Sequence, residues 1–408
     1  MKSFSPTLLT LSLVALPALA QTPGEADLNR RVEALTSELQ KVKTQMADLQ
    51  KKEAPAASDS ATVIGGYGEV NFNFFTQGDR SRNQADVRRF VLGVTHRFDD
   101  RTRMVAEVEV EHAVSSADDP GEVEIEQAYI EHQLNRTWGF RAGLFLVPMG
   151  LLNANHEPTA FYGVERNFVE TAIIPSTWRE GGVQVYADFE NGISLQAGVA
   201  TGFNMGKWDA TSTEGTESPL GSVHQELAQA QSHDFSVFGA LNWRGIPGLQ
   251  LGCSIFSGGA KQAQVGVPSM DITLWDAHAR WTPGNWDLSA LYAAGNISHT
   301  AEFNQPLVGQ LTLVPEKFHG WYGQAAYRVW TSGSYSLAPF ARYESYNTAV
   351  SFADLGPGLT PAAMKDQGVW TVGANFNVAR GVVVKADVQR FRENKDANRV
   401  NLGFGWSF

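Results

Sequence analysis

Charged side chains recur at every second residue in parts of this chain, as in Glu107, Glu109 and Glu111, a spacing that sets them along one face of an extended strand. Such rows make and break no bonds; they replace the hydration shell of a passing ion, with Arg and Lys favouring anions and Asp and Glu favouring cations. By strand parity the cations on that face are Arg89, Arg97, Arg141, Arg280, Arg328, Arg342 and Lys385, and the carboxylates also include Glu69, Glu131, Asp188, Glu344 and Asp387. Each charge has a second reading, as half of a salt bridge that braces a wall. Bond-making chemistry has less support. His96, His112 and His132 share the opposite parity, His156, His224, His233, His299 and His319 fall in connections or at their margins, and none forms an H-E-x-x-H pair. No G-x-S-x-G elbow or Walker loop occurs, and the glycines of IGGYGEV lie in a strand with no helix after it. The reading is a protein without catalytic residues, metal or cofactor.

The elements that carry these rows are strands. At the C-terminus Val400, Leu402, Phe404, Trp406 and Phe408 share one face, and Asn401, Gly403, Gly405 and Ser407 share the other. Similar alternation runs through Ile64, Val70, Phe72 and Phe74, through Phe90, Leu92, Val94 and Phe98, and through Val183, Val185, Ala187 and Phe189. Short turns at 99–101, 135–137, 190–192, 245–248, 282–285, 331–333 and 379–381 alternate with longer segments near 77–84, 114–121, 148–180, 204–232, 258–269, 297–318, 347–367 and 393–397. Seven short and eight long connections join sixteen strands, an even number that leaves both ends of the strand region on the short-turn side. Trp138, Trp243, Trp281, Trp286 and Trp330 flank those turns as an interfacial girdle. A soluble sandwich would have to leave the charged face beside a second wet surface, whereas a closed barrel in lipid gives the apolar face hydrocarbon and the charged face water. The fold class is therefore all-β: a 16-stranded antiparallel transmembrane β-barrel.

Residues 1–20 read as a signal peptide, with Lys2, an apolar stretch from Leu8 to Leu19, and Ala18 and Ala20 before a cleavage that leaves Gln21 first. Leu28, Val32, Leu35, Leu39, Val42, Met46 and Leu49 make a heptad seam within residues 21–50, expected as a short periplasmic coiled-coil helix; three heptads are marginal alone, so self-association, with a trimer favoured, is the expectation. Residues 51–61 are a linker to the barrel at 62–408. One cysteine, Cys253, excludes an internal disulfide framework, and an excess of carboxylates (net charge −11) argues against nucleic acid as a partner.

The stretches RRFVLGVTHRFDDRTRMVAEVEVEH from Arg88, EIEQAYIEHQL from Glu124, and the run from Arg141 to Tyr186 resemble the phosphate-selective porin O and P family of outer-membrane channels, across essentially all of 62–408. Phe408 resembles the terminal aromatic by which bacterial barrels are recognised for assembly. The resemblance implies a trimeric, sixteen-stranded diffusion channel whose third external loop folds into the lumen, here 148–180. That segment mixes apolar anchors with charges, unlike the Gly, Ser and Thr of a solvated loop such as 204–222. An inward fold presses Phe161, Tyr162, Phe168 and Trp178 on the wall and leaves Glu165, Arg166, Arg179 and Glu180, with Tyr162, at the constriction; an extracellular lid is the other arrangement. Inward lysines suited to phosphate are few, since six lysines follow Ala61 and only Lys385 has lumen parity. The expected function is passive diffusion of small hydrophilic solutes with weak anion preference, phosphate and organic carboxylates both being open, in the outer membrane among its lipids. An unselective pore that also tethers the envelope to the cell wall through 28–50, and an outer-membrane hydrolase, are the alternatives.

Overall fold

A computed structural model describes residues 61–408. The expected signal peptide and coiled coil, and nearly all of the expected linker, lie outside the described residues. The strands are β1 (Thr62–Phe75), β2 (Gln84–Arg97), β3 (Thr102–Val110), β4 (Val123–Gln133), β5 (Trp138–Leu146), β6 (Arg179–Asp188), β7 (Ile193–Thr201), β8 (Phe235–Trp243) and β9 (Leu249–Gly259). They continue with β10 (Asp271–Trp281), β11 (Trp286–Ile297), β12 (Lys317–Tyr327), β13 (Trp330–Ser332), β14 (Tyr335–Ser351), β15 (Gln367–Ala379), β16 (Val382–Phe391) and β17 (Arg399–Ser407). β12 and β13 both pair with β14 and are parted only by Arg328 and Val329, so together they make one crossing and the wall has 16 strands. Each strand pairs antiparallel with its neighbours, and β1 pairs with both β2 and β17, which closes the sheet. Closure leaves no edge with unpaired backbone groups, the condition for a sheet to sit in hydrocarbon.

The outer face is apolar as alternation requires. Val108, Val183, Val237, Val372 and Phe404 are all exposed there, and Trp138, Trp281, Trp286 and Trp330 are exposed beside the short turns. Cys253, in the middle of β9, is also exposed on this face. It is a native probe: in lipid vesicles an apolar maleimide should label it while a charged thiol reagent should not. Equal labelling by both would mean that β9 does not face hydrocarbon.

Inside, the expected water-filled lumen is in part filled by packed side chains. The inward faces of β8 to β12 carry Phe238, Phe256, Ile272, Leu274, Leu291 and Phe318, all buried, and they pack against Met205, Trp208, Leu220 and Val223 from the connection 202–234. Strand parity alone could not show that part of the inner face is dry. The 204–222 stretch, expected as a solvated loop, instead buries its few large apolar residues; the Trp208 indole N–H donates to Thr312 O (3.4 Å) and Thr312 Oγ1 donates to Ser212 O (2.6 Å), tying it to the next long connection.

Candidate functional site

The connection between β5 and β6, residues 147–178, crosses the interior of the barrel. Its polar backbone is satisfied by inward side chains from strands on all sides, which a loop lying outside could not reach. Gly150 N–H donates to Asp276 of β10 (3.0 Å), Val164 N–H to Asp387 of β16 (2.7 Å) and Phe168 N–H to Glu344 of β14 (2.5 Å). Asn375 of β15 donates to Phe161 O (3.0 Å), and Asn73 of β1 donates to Glu165 (3.0 Å). His156 Nε2 lies 2.5 Å from Glu126 of β4 and 2.7 Å from the Tyr67 hydroxyl of β1. Two glycines of β17 make room: a Cβ at Gly403 would come within 3.0 Å of Val164, and one at Gly405 would meet Pro158.

The apolar anchors fall where expected. Trp178 is fully buried against Phe203 (5.2 Å) and Phe256 (4.5 Å), Phe168 stacks on Tyr346 (5.3 Å), Tyr162 lies against Phe340 (5.7 Å), and Lys385 sits 3.5 Å over the Phe161 ring. Burying the β8–β12 side under Trp178 and its neighbours leaves space on the side of β1, β2 and β17. There the loop separates two cavities. One, of about 310 Å³ on the long-connection side, is walled by Arg88, Arg89, Arg166 and Arg399 with Glu69 and Glu165. The other, of about 710 Å³ on the short-turn side, takes in Glu107, Glu157, Thr159 and Arg380.

Most of the predicted lumen charges are locked in wall pairs. Arg89 meets Glu69 (2.9 Å), Glu109 (3.2 Å) and Glu111 (3.5 Å), although Glu111 stands just beyond β3 and not within it. Arg141 meets Glu131 (2.7 Å), Arg280 meets Asp287 (2.7 Å), Arg342 meets Glu344 (3.2 Å), and Glu107 accepts from Gln127 (2.5 Å). Arg97 lines a separate cavity of about 490 Å³ near the short turns with Arg103 and Glu131, and Arg328 is exposed at the β12–β13 break. These placements agree with the inward parity but divide its residues between bracing and open space.

Arg179 and Glu180 depart from the expectation. The loop ends at Trp178, so both are wall residues at the start of β6 and both are nearly fully buried. Arg179 pairs with Glu124 and with Glu226 (3.0 Å), while Glu180 accepts from the Trp178 indole (3.2 Å) and from Thr201. Neither borders the passage. Glu165 and Arg166 do border the 310 Å³ cavity left on the long-connection side. Burial alone would raise the Glu165 carboxyl, but Arg399, Arg88 and the hydrogen bond from Asn73 hold it below the usual carboxylate value. Burial, with Arg89 nearby, pushes Arg166 down to about 10, which still leaves it cationic at neutral pH.

Parity missed Arg88, Glu126 and Arg399. Two β-bulges account for the first two: the β1–β2 register slips between Glu69 and Val70 and leaves Arg88 extra, and the β3–β4 register slips between Glu107 and Val108 and leaves Glu126 extra. A bulge turns two successive residues toward one side, so Arg88 and Arg89 both reach the lumen. Arg399 shares the parity of Asn401 and could have been found from it. His278 was also passed over. It lies 2.6 Å from Asp276, to which Ser254 donates, but its far nitrogen faces Asn242 (3.0 Å) and not the serine. A serine nucleophile needs the imidazole as its immediate base, and here the carboxylate stands between them.

Residues 61–229 match the family model described as phosphate-selective porin O and P. An uncharacterised protein of Aquifex aeolicus (strain VF5) is 28% identical over 370 residues, covering 87% of this chain and 83% of that protein. Among solved structures, Salmonella typhi OmpF in complex with daunomycin is similar with a TM-score of 0.59 at 12% identity, over 85% of this chain and 97% of that one. The anion-selective porin from Comamonas acidovorans is similar with a TM-score of 0.54 at 12% identity, over 86% of this chain and all of that one. The fold is that of outer-membrane porins.

Proposed function

We propose that this protein is an outer-membrane porin, a passive diffusion channel for small hydrophilic solutes with a weak preference for anions. The observation that carries the reading is the 310 Å³ cavity beside the inward loop, where Arg88, Arg166 and Arg399, none of them in a close pair with a carboxylate, face Glu165. Fixed charge at the narrow part of a pore governs which ions enter, because there the solvent between ion and wall is thinnest. Much of the rest of the lumen charge is self-neutralised in wall pairs, which favours a small net preference over strong selectivity. The groups that could suggest hydrolysis, Ser254, Asp276 and His278, are ordered wrongly for nucleophilic attack, which supports transport over catalysis. The heptad seam of residues 28–50 supports a homotrimer as the assembled form and leaves contact with the cell wall through that segment as a further role.

The test is reversal potential in a planar bilayer under a KCl gradient. The expected sign is that of chloride preference with a small magnitude. A strong potassium preference would reject an arginine-governed passage, and a purified protein that makes no conducting opening at all would reject the channel.

A further inference from the structure

Resting on that channel reading, we infer that the cavity beside the inward loop is a binding subsite for organic monoanions that carry a carboxylate on an apolar body. Its cationic side has unspent donors. Arg166 gives its terminal nitrogens to Ser176 Oγ (2.6 Å), Thr177 Oγ1 (2.7 Å) and His156 O (3.2 Å), but its Nε is buried with no hydrogen-bond partner. Arg399 is held at Nε by Gln389 (2.6 Å), and its terminal nitrogens have no hydrogen-bond partner among the described residues. Arg88 approaches a carboxylate only at 4.0 Å, with more than a third of its side chain exposed. Planar guanidinium groups with free N–H donors match the two oxygens of a carboxylate.

Part of the lining is apolar. Phe161, Val164 and Phe168 line the same cavity, and Phe168 is held in place by its stack on Tyr346 and an edge contact with Phe391 (5.4 Å). A cavity of about 310 Å³ falls at the small end of the range of about 300–1,000 Å³ common for small-molecule sites, room for one ring and its substituent. Inorganic phosphate also fits the arginines, but it gains nothing from an aromatic wall. It also approaches two charges negative at neutral pH and so meets more repulsion from Glu165 and Glu69 than a monoanion does. The combination of spare guanidinium donors, an apolar wall and two fixed carboxylates selects a singly charged amphipathic anion.

The experiment measures blockage of KCl current through the full-length protein in a planar bilayer, with benzoate, phosphate and benzyl alcohol added separately on the long-connection side. Benzoate should reduce the current saturably, at a half-blocking concentration about tenfold below those of phosphate and benzyl alcohol, the factor expected for losing either the apolar contact or the charge-assisted pair. Substitution R399Q should raise the benzoate value about tenfold, and F168T should raise it while leaving the phosphate value in place. R88Q, at a more exposed position, serves if R399Q fails to fold, with heat-dependent gel mobility as the check. Conductance without preferential benzoate block overturns the subsite and leaves the channel standing. Block by benzyl alcohol equal to that by benzoate also overturns it. Absence of conductance removes the channel reading itself.

Discussion

Arg89→Met should lower the stability of the folded barrel by about 3–5 kcal/mol, the largest effect expected of any single substitution in the lumen. The Arg89 side chain is almost wholly buried and lies within 3.5 Å of Glu69, Glu109 and Glu111, and its Nη1 also donates to Thr177 Oγ1 (3.4 Å) on the inward loop. Two of the three carboxylates are as buried as the arginine. Removing the cation leaves like charges facing one another where little water can reach them, and each must then be protonated or the strands must part. Replacing the whole cluster is far less costly than breaking it, because no buried charge is then left alone. The triple variant R89M/E69Q/E109Q should therefore recover most of what R89M loses. Arg97→Met is the control: it is exposed at the end of β2 and should change stability by no more than about 0.5 kcal/mol. Urea unfolding in lipid vesicles, followed by tryptophan emission, measures all three. If R89M unfolds at the wild-type urea concentration, the cluster is not holding β1, β2 and β3 together.

The second large effect is on selectivity. Arg88→Glu combined with Arg399→Glu should turn a weak anion preference into a clear cation preference. Both side chains line the 310 Å³ cavity and neither is bound to a carboxylate in a close wall pair, so their replacement changes the field at the passage at the cost of one hydrogen bond, from Arg399 to the buried Gln389. The double change shifts the local charge by four units. At about 7 Å in water each unit is worth about 0.6 kcal/mol to a monovalent ion, and screening at about 0.1 M salt roughly halves that, which leaves about 1 kcal/mol in all. The same change favours potassium and disfavours chloride, so the ratio of their permeabilities should rise by about thirtyfold, and the reversal potential should change sign. The shift should shrink as salt is raised, because the ion atmosphere shortens the reach of these exposed charges. A reversal potential unmoved by the double variant would mean that ions pass elsewhere, in which case the lumen between β1, β2 and β17 is not the route.

The wall was legible in the sequence because its determinant is local. A residue of a strand points to lipid or to the lumen according to its place in a repeat of two, and connection lengths tell one end of the barrel from the other. That is why Arg89, Arg141, Arg342 and Lys385 could be placed inward, and why seven short turns implied sixteen crossings. Composition likewise marked 148–180 as a segment that must pack on something. What it packs on depends on contacts between residues far apart in the chain, such as Glu126 with His156 or Asn375 with Phe161, and no local pattern encodes these. Bulges belong to the same class. One unpaired residue reverses parity from that point along the strand, so Arg88 and Glu126 come inward only because their neighbours in the adjacent strands slip by one. Tertiary structure also decided that Arg179 and Glu180 brace the wall, and that the β8–β12 side of the lumen is dry. Alternation specifies which side of the sheet a group faces, but whether that side meets water, another side chain or a loop is set by what else fills the enclosed volume.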